Sequence, residues 1–244
     1  LTTSKSRSLV ALRFASTPSY QENLEQLLSL MKACDDDAII VAPEVCLSGY
    51  DYDNFDAAAD FIPHAITQLL AHLDNRILIF TAIERHSDGM YNVAKVLHGS
   101  KVIYNQAKAK LFAFGDEHLY FKAGPEEAVA LFEVEGIRMG ILICFELRFK
   151  TFWKQLEGAD IIAIPARWGS ARTQNFRSLT NALAIMNQCY VVASDASNEE
   201  FSGESGIITP FGEEIRNGSN TIASMPYDPQ EIKRMRRYMR VGIS

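Results

Sequence analysis

The strongest constraint on this chain is a succession of short apolar runs, each too short for a helix and most followed by a stretch with helical spacing. Residues 38–42 (AIIVA), 76–83 (RILIFTAI), 160–164 (DIIAI) and 189–194 (CYVVAS) read as buried strands, and residues 8–14 as another. Residues 20–33 carry Leu24, Leu27, Leu28 and Met31 at helical spacing, and residues 56–73, 151–156 and 174–187 read as further helices. Turn signals add hairpins. Residues 91–97 and 101–104 flank His98-Gly99-Ser100, and residues 128–134 and 138–143 flank Glu135-Gly136. Residues 206–209 and 220–224 bracket a turn at Phe211-Gly212. Strands alternating with helices predict an α/β layered fold, and the hairpins argue against a purely parallel sheet. With no linker-like or repeated segment, residues 1–244 are expected to form one domain.

Composition narrows the function classes. The 48% hydrophobic content supports a sizeable core. A net charge of -6 argues against a nucleic-acid or anionic-membrane surface. The basic tail Lys233, Arg234, Arg236, Arg237 and Arg240 is expected to be a solvated helix end or a subunit contact. No apolar run reaches the roughly 18 residues that span a bilayer, and the first residues lack a signal-peptide layout. Cys34, Cys46, Cys144 and Cys189 form no CxxC pair, so neither a zinc site nor a disulfide framework is expected. Scattered cysteines suit a reducing cytoplasm and leave room for a working thiol.

Three strand ends carry residues that could do chemistry. Glu44 follows the run at 38–42 and a proline; it could cap a helix, pair with a cation or act as a base. Cys144 ends the apolar run in MGILICFELRF. A buried cysteine is ordinarily an inert small hydrophobe, but a strand end that runs into a turn exposes its side chain and offers the next N–H as an oxyanion donor. The segment QAKAKLFAFGDEHLYFKAG supplies Lys108, Lys110 and Glu117, any of which could simply be solvated. His64, His72, His86 and His98 lie in settings unrelated to Cys144. His118 is the one plausible neighbour, so a Cys–His dyad lacks support.

Taken together, these segments resemble the nitrilase superfamily of carbon–nitrogen hydrolases. Pro43-Glu44 with Gly49-Tyr50 matches its glutamate segment, and Lys108 with Leu111-Phe112 its lysine segment. Cys144-Phe145-Glu146, followed by Leu147-Arg148-Phe149, matches its nucleophile segment. Glu117 with Phe121 and Gly124 matches a second glutamate. Gly158-Ala159-Asp160, Pro165-Ala166, Asn187-Gln188 and Pro210-Phe211-Gly212-Glu213 continue the likeness. Departures are Lys110, where the family often has histidine, the absence of a glutamine near Arg13-Phe14, and a C-terminal extension expected to be short after Arg240.

The resemblance implies a four-layer αββα sandwich: two mixed sheets packed face to face with helices outside. It also implies a catalytic set of Glu44, Lys108, Cys144 and Glu117. Cys144 would attack, Glu44 would move protons, Lys108 would favour thiolate and hold the oxyanion with the Phe145 N–H, and Glu117 would orient Lys108. No metal or other cofactor is implied, and a homodimer or higher homo-oligomer is usual. The segment from Pro165 onward is similar to omega-amidase-type small amidases. That similarity suggests a small-molecule amide substrate with a carboxylate, and Tyr50, Phe145, Arg167, Trp168 and Arg172 as its contacts. An N-carbamoyl amidohydrolase, a true nitrilase, or a non-catalytic binding protein on the same fold are the competing expectations.

Overall fold

The computed structural model describes residues 7–243; the reading of the first six residues as free of a signal layout lies outside them. The elements run β1 (Ser8–Leu12), α1 (Tyr20–Lys32), β2 (Ile39–Val41), α2 (Phe55–Ala71), β3 (Ile77–His86), β4 (Gly89–His98) and β5 (Lys101–Ala107). They continue with α3 (Glu117–Tyr120), β6 (Phe132–Val134), β7 (Ile137–Ile141), α4 (Lys150–Gln155), β8 (Ile161–Ala166) and α5 (Thr173–Asn187). The last are β9 (Tyr190–Asp195), β10 (Gly206–Ile208), β11 (Glu214–Arg216), β12 (Ile222–Pro226) and α6 (Pro229–Tyr238).

Two six-stranded sheets result, ordered β12-β1-β2-β3-β4-β5 and β11-β10-β9-β8-β7-β6. Each has a parallel centre, β1-β2-β3 in one and β7-β8-β9 in the other, with antiparallel strands outside it. The period-two geometry of a strand sorts the apolar side chains. Leu9, Ala11, Ile39, Val41, Ile77 and Ile79 join the second sheet in one core. Val10, Leu12, Ile40, Leu78 and Phe80 face away, packing on Leu24, Leu27 and Met31 of α1 and Ile62 and Leu69 of α2. Beyond the second sheet, Phe152 of α4 and Phe176 and Leu183 of α5 complete the core. The fold is therefore the expected αββα sandwich.

Four sequence readings change. The turn at Phe211-Gly212 joins β10 to β11, not to β12, which pairs with β1 in the opposite sheet. The charged edge strand Glu214–Arg216 has no apolar alternation to reveal it. Residues 128–134 are strand only from Phe132, because Glu126–Ala128 makes a 3-10 turn after Pro125. β3 and β4 form a hairpin of ten residues each, turning at Ser87-Asp88. The basic tail forms α6, and it is not wholly solvated: Ile232 and Met235 are buried, and Arg236 binds the Ala159 carbonyl and approaches Asp160 at 3.6 Å.

The carboxyl ends of β2, β5, β7, β8 and β9 carry, respectively, Glu44, Lys108, Cys144, Arg167 and Asp195 within a few residues. Ligand sites in α/β sheets sit at the carboxyl ends of parallel strands, where the backbone leaves the ladder and side chains gain freedom to converge.

Candidate active site

Glu44 is held by the way β2 stops. Ala42 makes a last ladder bond to the Ile79 carbonyl at 2.8 Å, and Pro43 then removes a donor. The Glu44 N–H reaches the Ala166 carbonyl of the facing sheet at 3.3 Å, and the Val45 N–H reaches the Thr81 hydroxyl at 2.7 Å. The carboxylate is fully buried. Its Oε1 accepts from Lys108 Nζ at 2.7 Å and from Asn92 Nδ2 at 2.8 Å, while Oε2 is buried with no hydrogen-bond partner among the described residues.

Lys108 begins where β5 ends, donating its N–H to the Asn92 carbonyl and accepting from the Gly124 N–H, both at 2.8 Å. Gly124 is required there: a Cβ would lie 2.6 Å from the Ala107 carbonyl oxygen. Lys108 Nζ bridges Glu44 and Glu117, the latter at 2.8 Å. Its third proton has the Tyr50 hydroxyl at 3.4 Å, a distance too long for a strong bond. Tyr50 in turn donates to Glu117 Oε1 at 2.9 Å, and Glu117 Oε2 accepts from the Phe112 N–H at 3.1 Å. Burial works against the Lys108 ammonium, but the two carboxylates outweigh it and hold its pKa above the ordinary lysine value.

Cys144 follows β7 in a left-handed backbone conformation, φ 48°, and opens a 3-10 turn through Arg148. A non-glycine residue there costs on the order of 1–2 kcal/mol, so the surroundings must over-determine it. The N–H groups that begin such a turn have no partner within it, which leaves the Phe145 N–H available as a donor. Burial pushes the thiol pKa well up, and Glu44 pushes it further. Lys108 opposes this, as does the Arg167 backbone N–H. The balance of these effects raises the thiol pKa and so favours the protonated sulfur. Lys108 thus acts on the sulfur in the expected direction, toward thiolate, but burial and the carboxylates Glu44 and Glu117 act the other way.

Cys144 lies in a cavity of about 220 Å³ whose walls include Tyr50, Glu117, Phe145, Arg167, Trp168 and Arg172. All the expected contact residues thus meet at one place, together with Tyr52, Phe112, Phe201 and Arg148, whose roles the sequence did not suggest. Arg167 is engaged by the protein, with Nη1 on the Ser16 hydroxyl at 3.0 Å and its guanidinium over Phe201. Arg148 binds Asn175 and lies over Trp168 at the exposed rim. Arg172 stacks over Phe112 and has no ion pair among the described residues. Asp195 fastens the wall: it accepts from the Trp168 N–H at 2.7 Å, the Gly203 N–H at 3.0 Å and the Ser202 hydroxyl. Burial raises Asp195 to about 6 against these bonds.

Other candidates fall away. His118 is exposed on α3. Lys110 turns outward to Glu126 and lies over Phe149, so Lys108 is the lysine of the site. Among the described residues, no group of three or more His, Cys, Asp and Glu side chains is arranged to hold a metal ion. Asn92 and Glu146 were invisible as site residues, because a polar residue inside a strand pattern or beside a motif cysteine shows its partner only in three dimensions.

The family described as "Carbon-nitrogen hydrolase" matches residues 9–237. The chain is 32% identical over 212 residues to the 2-oxoglutaramate amidase of Bacillus subtilis (strain 168), covering 81% of each chain. It is 31% identical over 184 residues to omega-amidase YafV of Escherichia coli (strain K12), covering 72% of this chain and 71% of that one. The fold superposes with a TM-score of 0.84 on XC1258 from Xanthomonas campestris, a CN-hydrolase superfamily protein crystallised with an arsenic adduct in its active site. The two are 22% identical over 97% of this chain and 96% of that one.

The bridging lysine makes the site's stability testable. Lys108→Met leaves two buried carboxylates facing each other without their cation, a loss of about 3–5 kcal/mol at pH 8. The uncompensated pair should then take up a proton with a raised pKa, so the variant should regain stability as the pH falls through that value. Denaturant midpoints for variant and wild type at several pH values check this; a pH-independent difference contradicts it.

Proposed function

The chain belongs to the carbon–nitrogen hydrolase family, and on that premise we propose that Cys144, Glu44, Lys108 and Glu117 carry out its hydrolysis of amide C–N bonds. The observation that carries the reading is the buried Lys108 ammonium shared by two carboxylates, in the electrostatic field of which the Cys144 thiol lies.

Glu44, with a buried and unpartnered Oε2, takes the Sγ proton as the sulfur attacks the amide carbon. The carbonyl π electrons move onto oxygen, and the Lys108 ammonium and Phe145 N–H receive that oxyanion. Collapse breaks the C–N bond. The nitrogen leaves as ammonia with the proton held by Glu44, and a thioester remains on Cys144. Glu44 then takes a proton from water, whose oxygen attacks the thioester carbon; the C–S bond breaks, Glu44 returns the proton to sulfur, and the product acid leaves and loses its own proton to solvent. Glu117 keeps Lys108 charged and aimed throughout, itself oriented by Tyr50 and the Phe112 N–H.

We further propose that the substrate is a short terminal amide with a carboxylate at its other end. Relatives named 2-oxoglutaramate amidase and omega-amidase support this, as does a cavity walled by arginines. Arg172 is the best candidate for the carboxylate, because Arg167 is already engaged by Ser16 and Phe201 and Arg148 lies at the rim. Ammonia release from glutaramate should exceed that from pentanamide, its uncharged counterpart of equal length. Arg172→Ala should lower kcat/KM for glutaramate by about 10- to 100-fold, the scale of a charge-assisted hydrogen bond, and leave pentanamide nearly untouched. Cys144→Ala should abolish both. Equal specificity constants in the wild type reject the carboxylate, and hydrolysis of nitriles or carbamoyl compounds alone would shift the substrate class.

A cytoplasmic homodimer is part of the same proposal. Four free cysteines suit a reducing compartment. Ile185 and Met186 of α5 lie exposed beside the Phe211-Gly212 turn, an apolar face of the kind a twofold contact covers. Sedimentation equilibrium should return a dimer that Met186→Glu weakens; a monomer mass for the wild type removes the dimer from the proposal.

A further inference from the structure

Glu146 is a fully buried carboxylate two residues beyond the nucleophile, outside the cavity wall and unused by the proton transfers. Both its oxygens accept backbone amides: Oε2 from Ile143 at 2.7 Å and Oε1 from Ala109 at 2.6 Å. Ile143 immediately precedes Cys144, and Ala109 immediately follows Lys108. The first segment leaves β7 and the second leaves β5, strands of opposite sheets that share no ladder. Gln106 adds a longer tie between the same regions, from its Nε2 to the Ile141 carbonyl at 3.2 Å.

We propose that Glu146 is a positioning residue for the amidase reaction: its carboxylate locks the Cys144 turn to the Lys108 segment, holding Sγ and Nζ in register for attack. Two features of the site require such a lock. Cys144 adopts a left-handed conformation that its own backbone disfavours, so side-chain bonds must hold the turn; Glu146, within it, accepts from Ile143 and ties the turn outward to Ala109. The oxyanion is shared between a lysine from one sheet and an N–H from the other, so an error in sheet-to-sheet register moves the two donors apart. Neither oxygen of Glu146 is spare. Amide, alcohol and protonated acid side chains each offer fewer acceptor positions than the ionised carboxylate.

The charge on Glu146 matters for the same reason. Burial raises its pKa to about 7, against the Ile143 and Ala109 N–H bonds, the Lys108 ammonium and the Lys110 N–H, which all favour the anion. The Tyr104 hydroxyl of β5 also feels its charge and stays protonated, its pKa raised by burial and by Glu146. Protonation converts one acceptor oxygen into a hydroxyl that meets an N–H, releasing one of the two segments. The kcat should therefore fall as the pH drops through about 7. Stability moves the other way. Folding raises this pKa, so the folded state binds the proton more tightly than the unfolded chain, and this group's contribution to stability grows on acidification and is lost as the pH rises through the folded value.

The test is Glu146→Gln beside Glu146→Asp, assayed on glutaramate and on pentanamide so that failure of the carboxylate reading leaves the result intact. Glu146→Gln should lose kcat on the order of 10²-fold, the effect of a misplacement near 1 Å. KM should stay within about threefold, since the cavity wall is untouched. The acid limb near pH 7 should disappear from its kcat profile. Glu146→Asp, which keeps the charge, should recover part of the rate and retain an acid limb. A kcat within about threefold of wild type with an unchanged pH profile overturns the proposal, as does a rate loss in Glu146→Gln matched by an equal rise in KM. Where Glu146→Gln does not fold, Glu146→Asp decides: a lowered kcat at an unchanged KM supports the lock, and a kcat within about threefold of wild type overturns it.

Discussion

The Lys108 ammonium, buried between Glu44 and Glu117, is the interaction on which the site depends. Each ion left in a dry interior without a partner costs several kcal/mol, and contacts of 2.7 and 2.8 Å offset that cost only because all three groups are fixed by their own backbone bonds. The set carries one cation and two anions, so its net field is negative. That field acts on Cys144, and together with burial it raises the thiol pKa, against the opposing pull of Lys108. A nucleophile held neutral needs a base within the site, and the unpartnered oxygen of Glu44 is the group available for that task. In the proposed mechanism the arrangement uses no preformed thiolate; it supplies a proton acceptor and an oxyanion donor, coupled through one hydrogen-bonded cluster.

The sandwich exists to bring these groups together. The parallel centres of the two sheets deliver Glu44, Cys144, Arg167 and Asp195 at their carboxyl ends, and β5 delivers Lys108. Chain segments that leave their ladders there must satisfy backbone polar groups elsewhere, and they do so partly across the sheets and partly within one of them. Glu44 N–H reaches Ala166, Lys108 N–H reaches Asn92, and Glu146 takes Ile143 and Ala109. The same bonds that satisfy the loops set the distances between the reactive atoms. A wall fastened by Asp195 carries Trp168 and closes the substrate side.

Much of this was legible in the sequence where burial leaves a periodic trace. β1, β2, β3, β8 and β9 are covered on both faces, and their runs of Ile, Val, Leu and Ala announce them. Edge strand β11 is charged and exposed, so no pattern marks it. β12 was visible as a strand, but its partner lay in the opposite sheet, more than 200 residues away along the chain, beyond the reach of a turn signal. In the site, Glu44, Lys108, Glu117 and Cys144 could be named because four short motifs occur in order. Asn92 could not, because one asparagine in a strand looks like any other until its amide is seen 2.8 Å from Glu44. Arg148 and Arg172 differ only in what the fold places beside them.

The resting ionisation of Cys144 tests this account most directly. The ultraviolet thiolate absorbance of the wild type, with that of Cys144→Ala subtracted, can be followed as a function of pH without any substrate. A thiol held by burial beside a net-negative cluster should show no thiolate at neutral pH and begin to ionise only above pH 9. A Cys144 thiolate signal already present at pH 7 would contradict the account. It would mean that Lys108 serves the sulfur rather than the two carboxylates, and that Glu44 is not needed to draw the proton away.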